Sequence, residues 1–566
     1  MARLPITCLL ASFAAFVQPS ANAQILRDGI QRYGADVAAL SRRYAVPMSD
    51  RRIDRLRSFH ERTLTRLSLR FEKDSGSWSV DDLIDWHLWR NEVRANLAAL
   101  DLEEREDERI AEFLPFKAPI LDLCEAREDV EPLDPNSTAL EVAALRSVVE
   151  KALDELDSRA RQRSPVEVAR AARRVRDLRR AFDEWYAFRA GFDPLFTWWL
   201  EQPHENLSTE LDSYAKALDS KLSATPEGID PTLVAQPIGA DALRAALRQE
   251  FIPYDPAELV AIAEREFEWC DREMDKAAKE LGFDDWRDAQ RHVKSLHVAP
   301  GEQPALVKRL VEEAIDWVTE RDLVTVPDLC RETWRMSMLG PERQRISPYF
   351  LGGERIQVSY PTDSMSDADK RATMFGNNIH FSRAVAHHEV IPGHGLQQFM
   401  QSRHRPYRRA FSTPFWIEGW ALYWEMRLWD LGFPRGPEDR IGMLFWRKHR
   451  CARIVFSLSI HLGTMTPVEA VDYLVDRVGH ERKNAEGEVR RSVGGLYPPL
   501  YQAAYMLGGL QIRALHRELV VDGEWTERQF HDAVLQQNSI PIELLRAALK
   551  QERLERDFAT RWRFYD

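Results

Sequence analysis

With 566 residues, 44% of them hydrophobic, the chain can bury a large core and is longer than one ordinary domain of ~100–200 residues. Its 78 Lys and Arg against 90 Asp and Glu leave a net charge of −12, so neither a nucleic-acid partner nor adhesion to anionic membranes is expected. Seventeen Trp and 25 Phe exclude a disordered, solvating chain.

The first element is a leader. Arg3, the apolar run Ile6 to Val17 and the small-residue site Ala21-Asn22-Ala23 predict a signal peptide over residues 1–23. Export to the periplasm or the medium follows. Cys8 lies inside the apolar run, after Pro5-Ile6-Thr7, which is a poor lipoprotein context. No later stretch is long and apolar enough for a stable membrane insertion. The remaining Cys124, Cys270, Cys330 and Cys451 have no CxxC spacing, which argues against a cysteine metal site. Export permits disulfides among them without requiring any.

Helical periodicity dominates the rest. Leu145, Val148, Val149, Leu153 and Leu156 recur at helical steps, with Arg146, Glu150, Asp154 and Asp157 on the other face. Ser164-Pro165-Val166-Glu167 and Thr466-Pro467-Val468-Glu469 read as capped helix starts with proline in the first turn. Trp198-Trp199 is expected in the core. The best strand is Arg355 to Tyr360, after Gly352-Gly353 and stopped by Pro361. We therefore expect a mainly α, cleft-bearing fold with at most a small β-sheet. A helical region over 24–250 and a catalytic region over 251–566 are expected, the boundary soft, with Pro/Gly punctuation near Ala224–Gly228 and Ala299–Gly301.

Chemistry concentrates in His387-His388-Glu389-Val390-Ile391-Pro392-Gly393-His394. A zinc hydrolase needs imidazole ligands, a third ligand and an open position for water, with a carboxylate beside that water to take its proton. The usual arrangement is His-Glu-x-x-His on one helix, where residues four apart share a face. Here His388 and His394 are six apart, which on an ideal helix sets them ~120° from one another. Pro392 lacks an N–H and its ring clashes with the His388 carbonyl, so a break or bulge is expected there, able to turn His394 back toward His388. His387 is expected beside the ligands, with a ligand role as the alternative.

Thr413-Pro414 then opens a helix carrying Glu418 and Glu425, seven positions and about two turns apart on one face. Two carboxylates on an aromatic, apolar helix are costly unless paired or metal-bound. Glu418 is the natural third ligand, and Glu425 the residue that orients an imidazole, or else the buried partner of an arginine.

This combination resembles the bacterial domain-of-unknown-function family 885, marked by His-Glu-x-x-Pro-Gly-His and a downstream Glu-Gly-Trp-Ala. Phe381-Ser382-Arg383, His388 to His394 with Gln397, and Glu418 to Tyr423 carry the likeness. That family is grouped with zinc peptidases of the thermolysin and angiotensin-converting-enzyme type. The resemblance implies one zinc ion on His388, His394 and Glu418, with Glu389 as general base. In similar helical oligopeptidases, tyrosine hydroxyls assist the oxyanion, which makes Tyr501 and Tyr505 candidates. The family more often has Gln where Tyr501 stands, which puts that role in doubt.

Arg490 and Arg491 could grip a substrate carboxylate, against the plainer reading of a solvated face. His87, His380, His404, His449, His461 and His480 are read as structural. No nucleophile elbow, phosphate loop or dinucleotide fingerprint is present. The expected function is cleavage of a peptide or small amide substrate. The alternatives are a zinc hydrolase of a non-peptide amide or a peptidoglycan stem, and a metal-free helical binding or scaffold protein with an eroded motif.

Overall fold

The computed structural model describes residues 21–222, 237–344, 349–493 and 497–565. The expected leader lies outside them up to residue 20, as does the Pro/Gly segment at 224–228; the first described helix is Ala21–Arg43. The fold is mainly α. Its one sheet among the described residues has two parallel strands, β1 (Arg335–Met338) and β2 (Arg355–Val358), in the register Arg335 opposite Arg355 to Met338 opposite Val358. The expected strand thus forms and stops at Val358.

Both capped starts form as read. Ser164 caps Pro165–Ala187 and Thr466 caps Pro467–Tyr473, each accepting from the backbone N–H three residues on while Glu167 or Glu469 bonds back. Leu145 and Val149 are buried on Pro135–Asp154, and Leu156 opens a separate short helix. Trp198 and Trp199 correct the sequence reading, being 79% and 42% exposed. Their helix, Pro194–Leu222, buries Phe196, Leu200, Leu207, Leu211 and Tyr214, and that stripe leaves both tryptophans outside it.

One core joins Lys117–Glu128, Pro135–Asp154, Pro165–Ala187 and Pro194–Leu222 around Phe182, Trp185 and Tyr214. A second, larger core runs from Leu243 to Phe564 and takes in Ile30, Ile84 and Leu88 from early helices. A buried ion pair reinforces that junction, with Arg408 Nε and Tyr407 Oη donating to Asp85, each at 2.7 Å. The four cysteines are buried free thiols. No helix among the described residues is long and apolar enough to cross a membrane.

Two helices fill the centre of the larger core. Pro414–Asp430 is largely apolar and aromatic apart from Glu418, Glu425, Arg427 and Asp430, and most of it is buried. It crosses Tyr501–His516 at a glycine contact: a Cβ on Gly508 would lie 2.1 Å from the Phe415 carbonyl oxygen, and one on Gly419 2.6 Å from Gly508. That close approach brings Tyr501 and Tyr505 over Glu418. The 26-residue helix Pro437–Leu462 is buried over most of its length despite carrying Arg447, Lys448, Arg450 and Arg453.

Candidate metal centre

The interruption at Pro392 is a full break rather than a bulge within one helix. Ile379–Glu389 ends at Glu389, and a new helix, His394–Gln401, begins at the second histidine. The connecting turn is closed by Gly393 N–H donating to the His387 carbonyl at 2.9 Å and Leu396 N–H to that of Val390 at 3.0 Å. A Cβ on Gly393 would sit 1.8 Å from the His388 carbonyl oxygen, so only glycine fits. Trp420 Nε1 donates to the Pro392 carbonyl at 2.8 Å, pinning the turn to the Glu418 helix. Restarting the helix removes the phase error of the ideal-helix reading, and the rings of His388 and His394 meet with centroids 4.9 Å apart.

One ligand atom each from His388, His394 and Glu418 lie within 4.8 Å of one another, and all three residues are buried. Glu418 Oε2 is 3.2 Å from His394 Nε2 and 3.9 Å from His388 Nε2. The other side of each imidazole is held. His388 Nδ1 donates to Glu425 Oε1 at 2.6 Å, which leaves the Nε2 lone pair facing Glu418. His394 Nδ1 donates to Gln397 Oε1 at 3.3 Å, and Gln397 Nε2 donates to the Trp416 and Ile417 carbonyls. Two imidazole nitrogens and one carboxylate oxygen, with tautomers fixed from behind, form a donor set that fits zinc.

The electrostatics follow from crowding ionisable groups in a buried space. Burial alone would lower the His394 pKa, but the charge and hydrogen bond of Glu418 outweigh it and raise it to about 9. Burial would raise Glu418, yet His394 holds it well below the carboxylate range. His388 is driven down by burial and by the neighbouring positive charge of His394 and Arg450. Glu389 is raised to about 7 by burial, against the pull of His394.

Glu389 faces a cavity of about 400 Å³ that also admits His388, His394, Glu418, Tyr501 and Tyr505. The Gly352-Gly353 loop before β2 closes over it: a Cβ on Gly352 would lie 2.1 Å from Glu389 Oε2, and Gly353 N–H donates to the Glu389 carbonyl at 3.0 Å. Tyr501 Oη donates to Glu418 Oε1 at 2.5 Å. The Tyr505 ring lies nearly parallel to that of His388, centroids 6.4 Å apart. His387 is fully buried and edge-on to Phe433; among the described residues neither of its ring nitrogens is hydrogen-bonded, and it is not part of the ligand group.

Arg491 lines the cavity, bonded to Glu488, whereas Arg490 is not among its lining residues. Sequence reasoning passed over Arg450, Arg453 and Glu488. Arg453 Nε donates to Glu488 Oε1 at 2.7 Å, and Arg450 and Arg453 both line the cavity. Burial would raise Glu488, but Arg453 and Arg491 pull it down to about 2. The available signal was Arg447 to Arg453, a run of charge inside a long, otherwise apolar helix. His449 and His480, read as structural, hydrogen-bond each other at 2.9 Å, and Tyr349 in the cavity wall bonds His480 at 3.2 Å.

A family model described as bacterial protein of unknown function (DUF885) matches residues 32–549. The chain belongs to this family. A similar solved structure is that of a "putative lipoprotein of unknown function" from Shewanella oneidensis. At 18% identity it aligns with TM-score 0.66 over 94% of this chain and 100% of that one. A second, from Colwellia psychrerythraea, is also described as a lipoprotein; it aligns at 18% identity and TM-score 0.50 over 74% of this chain and 76% of that one. These likenesses show a shared fold. No curated protein matches the chain.

Proposed function

We propose that this member of the family is an exported zinc-dependent hydrolase that cleaves peptide bonds. The observation that carries the reading is the convergence of His388, His394 and Glu418 beside Glu389 at a cavity wall. Zinc bound there would supply Lewis acidity, acidifying water and polarising the substrate carbonyl.

The chain's own residues do the rest. Glu389 accepts a proton from the attacking water and returns it to the leaving amine, a task for which a carboxylate raised to about 7 is suited. Glu425 keeps the proton of His388 on Nδ1. Tyr505, whose hydroxyl makes no hydrogen bond among the described residues, is the donor for the developing oxyanion. Tyr501 is committed to Glu418 and orients that carboxylate. The Gly352 backbone packs against Glu389, and the Tyr505 ring lies beside that of His388.

Export is supported by the expected leader and by the descriptions of the two similar structures; amino-terminal sequencing of the mature protein tests it. The function is tested by metal analysis and a peptide-library digest with and without chelator. One zinc per chain and chelator-sensitive cleavage are expected. Glu389→Gln should keep its zinc and lose about 10²–10⁴-fold in turnover. A protein that takes up no metal, or a Glu389→Gln variant with full activity, sinks the proposal.

A further inference from the structure

We infer that the cleft reads the free carboxylate at the C-terminal end of a peptide through Arg450, Arg453 and Arg491, making the chain a carboxy-terminal exopeptidase. The inference rests on the hydrolytic reading of the same site and names its substrate class.

The three guanidiniums line the same cavity as Glu389 and the ligand group. Buried arginines are normally matched by acids, and these are matched incompletely. Arg453 and Arg491 share the single carboxylate of Glu488, which also accepts from Gln502 Nε2 at 3.1 Å. Among the described residues the one acid that Arg450 pairs with is Glu425, at 3.5 Å, and that oxygen is already bonded to His388 at 2.6 Å. In direct ion pairs, Arg450, Arg453 and Arg491 share two carboxylates, those of Glu425 and Glu488. His449, 3.8 Å from Glu488, is buried and adds no acid, while Glu418 is paired with His394. Hydrogen-bonding capacity is also left over, since Arg450 Nε, Arg453 Nη1 and Arg491 Nε have no partner among the described residues. The wall is 3% and 7% exposed at Arg453 and Arg450, and its guanidiniums share their acidic partners. A planar carboxylate satisfies both needs.

Position gives the register. The Tyr505 ring touches both groups, with Arg453 Cζ 4.4 Å and Arg450 Cζ 4.9 Å from its centroid and the His388 ring at 6.4 Å. An extended peptide advances ~3.3–3.6 Å per residue. A cavity of about 400 Å³ holds only a short stretch of such a chain, so a carboxylate held by the arginines sets the amide at Glu389 close to the C-terminus.

The test uses zinc-loaded Glu389→Gln, which binds without turning over, titrated with an N-acetylated tripeptide acid and with its C-terminal amide. The acid should bind about 10- to 100-fold tighter, as a charge-assisted contact predicts. Adding Arg450→Gln or Arg491→Gln should remove most of that preference at unchanged zinc content, and Arg450→Lys should restore part of it. Equal affinity for acid and amide overturns the inference. So does a preference that survives both glutamine substitutions, because the metal would then be reading the carboxylate. In the wild-type enzyme, mass spectrometry of peptide digests should show one or two residues released from the C-terminus, and internal cleavage overturns the inference while leaving the hydrolase intact. Failure to cleave any peptide would instead remove the hydrolytic reading, with the binding contrast still deciding the carboxylate site.

Discussion

The bond between His388 and Glu425 offers the sharpest quantitative test of how the centre is built. Glu425 Oε1 accepts from His388 Nδ1 at 2.6 Å in a site where both groups are buried. The carboxylate fixes the tautomer that leaves Nε2 free and adds electron density to the ring. Glu425→Gln preserves shape and one acceptor oxygen but removes the charge. Hydrogen bonds to charged groups contribute about 1.5–3 kcal/mol, which corresponds to ~10- to 150-fold in a dissociation constant. Zinc affinity, measured by competition with a chromophoric chelator, should weaken by about 10- to 100-fold. The metal-free protein should also lose stability, because the buried Arg450 loses its acidic contact at 3.5 Å, so the two affinities are compared at a temperature where both proteins stay folded. An unchanged zinc affinity would refute the argument, since it would mean that His388 does not bind through Nε2 with Glu425 behind it.

Gly393→Ala places a methyl 1.8 Å from the His388 carbonyl oxygen, so the turn must open; zinc affinity should fall by more than about 100-fold, and retention of tight binding would show that the turn is not what sets the ligands. Gly352→Ala drives a Cβ into Glu389 Oε2 and should cut turnover at least about tenfold with zinc retained, assayed by metal content and kcat together. Zinc uptake should release at least one proton near pH 8, because the metal-free His394, raised to about 9, is protonated there and must lose its Nε2 proton to bind. Affinity should accordingly rise with pH and level off above about 9; calorimetry in buffers of different ionisation enthalpy measures the proton, and none released would contradict the His394–Glu418 ion pair. Conversely, the stability that this pair gives the metal-free protein is present below the ordinary histidine pKa and is lost as pH rises through about 9.

Much of this protein was legible along the chain because the signals are local. Capping residues, proline at first turns and helical apolar spacing identify helices such as Pro165–Ala187 and Pro467–Tyr473 from a few neighbouring residues. The seven-residue step from Glu418 to Glu425 places both acids on one face of one helix, whatever surrounds it. Other features depend on distant neighbours. Trp198 and Trp199 look like core residues until the packing partners of their helix choose the other face. Arg450 and Arg453 carry no sign of a shared site along the chain, and only packing sets them beside Glu488, Tyr505 and the cavity. The sequence determined which side chains are available to the centre, since residue type and helical phase are properties of short segments. The tertiary structure alone decided that His388 and His394 converge, because a turn with a glycine pressed against the His388 carbonyl, and anchored by Trp420 from another helix, resets the phase that an unbroken helix would have imposed.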